Sequence, residues 1–144
     1  MTSMRGLAGV IAIIIVVVSA CAGVGSQETT VMCDVASRLS AAYATTSTAA
    51  DRIDAGDSDG AHTLGATARV EAEDAHTLLQ TIRTQDVRRG PAWGSLLDAY
   101  GHVGQAANAA IGHFGGVRDE LGRARPSLAT AAESLPRCFT PPTA

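Results

Sequence analysis

Residues 35–60, VASRLSAAYATTSTAADRIDAGDSDG, decide the fold. Val35, Leu39, Ala42, Thr46, Ala49 and Ile53 recur at alternating steps of four and three, which puts them on one stripe of an α-helix. The run stops in DAGDSDG at 54–60. There Gly56 suits a left-handed helix terminus, and Asp57, Ser58 or Asp59 can cap the helix that follows. Two further series extend outward from this break. One is Ala61, Leu64, Ala68, Glu71, Ala75, Leu78 and Ile82; the other is Trp93, Leu96, Tyr100, Val103, Ala107, Ala110 and Phe114. Between them RRGP at 88–91 sets Pro91 at a first helical position. The sequence nowhere alternates apolar and polar residues as a half-buried strand would, so the expected fold class is all-α.

The third break is less sharp. Gly115-Gly116 can end the third helix, yet Val117 and Leu121 continue its phase, and Pro126 disfavours a helical Arg125. The favoured reading turns the chain at Gly115-Gly116 and runs a fourth helix over 117–135, bent at Pro126. It gives an antiparallel up-down-up-down four-helix bundle. The alternative is three long helices plus a short C-terminal one. The third helix also carries Gly94, Gly101, Gly104 and Gly112, each costing about 1 kcal/mol against Ala in a helix interior. Close helix–helix approach over these small residues is the expected reason, and a groove for an apolar ligand is the other reading.

Composition narrows the function. The chain of 144 residues has a net charge of −3 and only 3% aromatic residues. It therefore offers neither a basic nucleic-acid surface nor a base-stacking platform, and no nucleic-acid partner is expected. Arg5 is the only charged side chain before Glu28. The apolar run over 7–18 is about a dozen residues, against roughly 20 for a helical bilayer span. A short positive start, a short apolar core and a small-residue exit form the pattern of a secretory signal peptide. Read instead as an uncleaved anchor, the uncharged stretch 6–27 reaches spanning length if Gly and Ser are tolerated. Ordinary secretion with Cys21 incidental is the third possibility.

Val18-Ser19-Ala20-Cys21 resembles the lipobox of bacterial lipoprotein precursors: aliphatic, small, small, cysteine. The resemblance covers residues 1–21 only. It implies that the Cys21 thiol receives a diacylglyceryl group and that cleavage makes Cys21 the new N-terminus, a membrane attachment outside the cytoplasm. Two acyl chains on one residue suffice for stable anchoring, where one holds only marginally. The expected organisation is then a signal peptide at 1–20, a small polar tether at 21–30, a helical domain at 31–138 and an unstructured tail at 139–144.

Lipidation of Cys21 leaves Cys33 and Cys138, near the two ends of the mature domain, in a compartment that permits disulfides. A bond between them is expected, the alternative being two buried thiols. It would fit a four-helix path, which returns the chain end to its start.

No arrangement for catalysis emerges. Glu73 and His76 have the Glu-x-x-His spacing of di-metal bundles, which need two such pairs, and there is no second pair. Glu71, on the second series, is expected at a helix boundary or reaching Arg69 or Arg38. Asp57, Asp59 and Gly60 match the middle of an EF-hand loop, but its first and twelfth ligand positions fall on Ala55 and Ala66. His62, His102 and His113 are scattered over two helices, Asp98 standing one turn before His102. No metal, cofactor or enzymatic activity is implied.

In the four-helix path, the basic residues Arg83, Arg88, Arg89 and Arg137 gather at the membrane-proximal end. Asp51, Asp54, Asp57 and Asp59 gather at the far one. These features lead to the expectation of a lipid-anchored interaction module contacting another envelope protein through a helix face or the acidic tip. The alternative is a lipid-tethered binder of a small apolar ligand. An enclosed cavity lined by the third helix would favour the binder.

Overall fold

The computed structural model describes the backbone of residues 8–135 and 138–143, and the side chains of 27–135 and 138–143. The lipobox side chains, Cys21 among them, and Arg137 lie outside the described residues. The chain is all-helical: α1 (Ala8–Asp54), α2 (Ser58–Gln80), α3 (Gln85–Arg89), α4 (Pro91–Ile111) and α5 (Val117–Ser134), with no strand among the described residues. The expected breaks at 54–60 and 88–91 are present, and so is the third.

The turns follow from local chemistry. At the end of α1, Gly56 takes φ 77°, the left-handed region that costs glycine nothing. Its N–H and that of Asp57 donate back to Ile53 and Arg52 carbonyls. Asp57 then caps α2 by accepting from the Gly60 N–H at 2.9 Å. Pro91 opens α4. That helix ends at Ile111, before the Gly-Gly pair, and the chain reverses through His113 (φ 56°) and Gly116 (φ 96°). Phe114, expected on the third apolar stripe, therefore lies past the helix end and is 70% exposed. Pro126 sits inside a continuous α5.

Residues 27–30, expected within a tether, are helical and belong to α1. Glu28 is tied across to the α2–α3 connection. Its Oε1 accepts from the Thr84 hydroxyl at 2.8 Å and the Thr84 N–H at 3.3 Å. The short α3, which no periodicity announces, lies between α2 and α4.

α1 packs against α2, α4 and α5, and α4 packs against α2 and α5. The core is mostly alanine, filled out by Val35, Leu39, Leu79, Ile82, Leu96, Val103, Leu121 and Leu128. The first stripe is buried as expected from Val35 to Ala49, including Thr46, whose hydroxyl donates to the Ala42 carbonyl at 2.7 Å, and Ile53 at its end is half-buried. On α2 the buried line is Ala61, Gly65, Ala68, Ala72, Ala75 and Leu79, so Leu64, Glu71 and Leu78 stand one position off it. Glu71 reaches neither Arg38 nor Arg69; it accepts from the Thr45 hydroxyl at 3.4 Å.

The close approach expected at the α4 glycines falls elsewhere. A Cβ on Gly94, Gly101 or Gly104 would meet nothing within 4 Å, because these glycines look outward. A Cβ on Gly65 would stand 3.0 Å from both the Ala107 carbonyl oxygen and the Ile111 nitrogen. Gly65 is thus where α2 and α4 touch backbone to backbone. Overpacking costs about 1–3 kcal/mol, whereas Gly→Ala at an open helical site gains up to about 1 kcal/mol. Gly65→Leu should lower the urea midpoint and Gly104→Ala should raise it. Equal tolerance at both sites would place the helix contact wrongly.

Candidate functional site

Four cross-chain contacts define the two ends of the helical body. At one end Cys33 and Cys138 are bonded, with Cα atoms 5.5 Å apart across 105 residues of sequence. Glu28 meets Thr84 near the same end of α1. At the other end the Arg118 guanidinium at the start of α5 binds Asp51 and Asp54 at 2.8 and 2.6 Å. There too His62 Nδ1 lies 3.1 Å from the Ile111 carbonyl oxygen.

The disulfide end carries the expected basic residues Arg83, Arg88 and Arg89, all exposed. The Arg88 guanidinium lies over the Trp93 ring, 5.2 Å from its centroid. Trp93 is the chain's single tryptophan, half-buried, and its indole N–H is shielded from solvent without an acceptor. None of Arg83, Arg88 and Arg89 has a carboxylate partner among the described residues. Elsewhere Arg38, Arg52, Arg69, Arg118 and Arg123 all have one. Arg125, midway along α5, also lacks one, and its Nε is shielded without an acceptor. Three of the four described arginines without a carboxylate partner therefore lie at the disulfide end.

The acidic end is partly compensated: two arginines pair with Asp51, Asp54 and Asp57, while the exposed Asp59 has no ion pair among the described residues. Arg52 pairs with Asp57 at 3.1 Å. Hydrogen bonds to Asp54 first, then Asp51, raise the Arg118 pKa above its ordinary value, so that side chain stays charged at every relevant pH. Phe114 stands beside an open hollow of about 200 Å³ lined by Ala50, Ile53, Val117 and Arg118.

The remaining polar cluster joins α4 to α5. His102 Nδ1 lies 2.7 Å from Glu120, and its Nε2 lies 3.8 Å from Asp98. The Ser127 hydroxyl donates to Asp98. The serine is thus bound to a carboxylate rather than to the imidazole, which is not the arrangement that activates a nucleophile. An open groove of about 440 Å³ runs beside it, lined by Gly94, Leu97, Asp98, Gly101, His102 and Gln105.

The other sequence candidates are engaged structurally. Glu73 pairs with Arg69 at 2.9 Å. His76 stacks on Tyr100 with ring centroids 4.2 Å apart, and its Nε2 accepts from the Gln80 amide at 3.0 Å. Asp57 is a helix cap. Among the described residues no three His, Cys, Asp or Glu side chains converge as a metal site, and no helix is long and apolar enough to cross a membrane. Sequence reasoning missed the Trp93–Arg88 pair and the His102–Glu120 contact; i, i+5 spacing and an interhelical contact leave no local pattern to find. Comparison with protein-family models, curated protein sequences and solved structures found no match to this chain.

A cation over an exposed aromatic face contributes about 0.5–1 kcal/mol. Arg88→Ser should therefore cost no more than about 1 kcal/mol in urea unfolding, and much less in a Trp93→Leu background. An equal loss in both backgrounds would mean that Arg88 does not act through the indole.

Proposed function

We propose that this chain is a non-enzymatic, lipid-anchored helical interaction module on the outer face of a bacterial cell envelope. The observation that carries the proposal is Val18-Ser19-Ala20-Cys21 at the exit of a short apolar run. The Cys33–Cys138 bond supports it, because structural disulfides persist in oxidising compartments outside the cytoplasm. The third cysteine is then free of any pairing obligation and available for the lipid.

The end-to-end contacts support an up-down-up-down order of the four long helices. Glu28 on Thr84 brings the end of α2 beside the start of the described α1 side chains. His62 on Ile111 brings the end of α4 beside the start of α2, and Arg118 on Asp51 brings the start of α5 beside the end of α1. In this order the N-terminal, lipid-bearing segment leaves from the disulfide end. The acidic end, with Phe114 and its hollow, points away as the surface offered to an envelope protein.

The alternative, a tethered binder of a small apolar ligand, is less well supported. The α4 groove is open to solvent, and Asp98, His102 and Gln105 make up half of its lining residues. Burial of 70–90% of a ligand's surface is usual in small-molecule sites, and an open, partly charged groove does not provide it.

Detergent phase partitioning of cells expressing the full chain tests the anchor. The wild-type protein should enter the detergent phase at the mass of residues 21–144 plus acyl groups. Cys21→Ala should accumulate as unprocessed precursor. Processing of Cys21→Ala at the wild-type position would overturn the lipid attachment and leave ordinary secretion.

A further inference from the structure

We propose that the disulfide end of the bundle, with Arg83, Arg88 and Arg89 set around Trp93, is a docking surface for the anionic headgroups of the membrane. This rests on the lipid-anchor reading for its geometry, and three features select this occupant, the first two of them independent of the anchor.

The first is charge. These three guanidinium groups are exposed and lack the carboxylate partners that five other arginines possess. The other unpaired arginine among the described residues, Arg125, is half-buried with its Nε shielded from solvent. Asp86 lies among them on α3, but it makes no ion pair with any of them, and Glu28 is committed to Thr84. An unpaired arginine fork matches a phosphate geometrically and electrostatically. The surface therefore suits phosphate-bearing headgroups, not an acidic side chain already supplied from within.

The second feature is Trp93. Tryptophan is enriched at the headgroup level of membranes, and the half-buried Trp93 ring lies under the Arg88 guanidinium at this end, although its N–H is shielded from solvent. Val87 and Phe139 pack as partly buried neighbours of the same core, giving the basic end an apolar floor. A soluble polyanion would need the arginines but not the indole.

The third is reach. Cys21 precedes Glu28 by seven residues, a separation of about 10 Å if helical and at most about 25 Å if fully extended. The Glu28–Thr84 contact fixes the α2–α3 connection to that point. Lipid on Cys21 thus holds the basic end within a short distance of the headgroups, where electrostatic attraction acts over about 8 Å at physiological salt. The net acidic end faces the other way, so the module would stand on the membrane basic end down.

The single tryptophan reports directly. The acylated chain purified from membranes is reconstituted into phosphatidylcholine vesicles, with or without phosphatidylglycerol, each carrying a headgroup-level nitroxide quencher. Flotation with both vesicle types reports the anchor; quenching of Trp93 reports docking. Quenching should be strong only with phosphatidylglycerol and should fade with added salt. Residues 21–144 with Cys21→Ser retain every core residue among the described ones and both bonded cysteines. This unacylated chain should bind the anionic vesicles weakly, losing about fivefold in affinity for each of Arg83, Arg88 and Arg89 changed to Ser. Arg69→Ser, far from this end and paired with Glu73, should lose less than twofold.

Equal quenching on neutral and anionic vesicles, or none on anionic vesicles at low salt, would overturn the docking surface. So would an equal loss from Arg69→Ser. Competition by millimolar glycerol phosphate as effective as that by anionic vesicles would show a soluble phosphate site instead. A purified chain that is unacylated and floats with neither vesicle type, yet whose Cys21→Ser form binds anionic vesicles through the three arginines, would sink the anchor while sparing the surface.

Discussion

The bond between Cys33 and Cys138 is the constraint on which the rest of this small structure depends. Its core is dominated by alanine, and burying a methyl group contributes far less than burying a leucine or isoleucine side chain. Closing a loop of 105 residues contributes roughly 4–5 kcal/mol in the chain-entropy model, comparable with the whole stability of many domains of this size. The bond also fixes Cys138, four residues past the end of α5, beside Cys33 on α1. That brings Cys138 to the part of α1 near which Glu28 meets Thr84, away from the Asp51–Arg118 contact.

The two ends differ in how their charges are used. At the acidic end, Arg118 is held by Asp51 and Asp54, and Arg52 by Asp57, so opposite charges are spent on one another. At the disulfide end, Arg83, Arg88 and Arg89 remain open to outside partners, with one of them lying on an indole. Surface ion pairs of the first kind contribute little to stability. The asymmetry therefore matters for what each end can meet rather than for how well the fold holds.

Much of this was legible in the sequence. The stripe from Val35 to Ala49, the Gly56–Asp57 break and Pro91 each express a local rule that the tertiary structure does not override. The disulfide followed from terminal positions and from the spare cysteine. The α2 face was read one position off because alanine fits several helical phases equally well, so Leu64 and Leu78 outweighed Gly65 and Ala72. Phe114 was assigned to the core because periodicity cannot see that α4 ends at Ile111. The outward α4 glycines and the close contact at Gly65 look identical as letters; only the neighbour across the interface tells them apart. The 27–30 segment read as a tether because its anchoring contact, Thr84, lies 56 residues from Glu28. The Trp93–Arg88 pair was hidden for a similar reason, since its spacing follows no helical repeat.

The central claim is a division of labour among three sulfur atoms: one for the lipid, two for the fold. Mass spectrometry of the protein isolated from its native membrane, alkylated before digestion and mapped without reductant, tests it most directly. The account predicts an N-terminal peptide beginning at acylated Cys21, one cross-linked species containing Cys33 and Cys138, and no alkylated cysteine. An alkylated Cys33 or Cys138, or either of them bonded to Cys21, would contradict it.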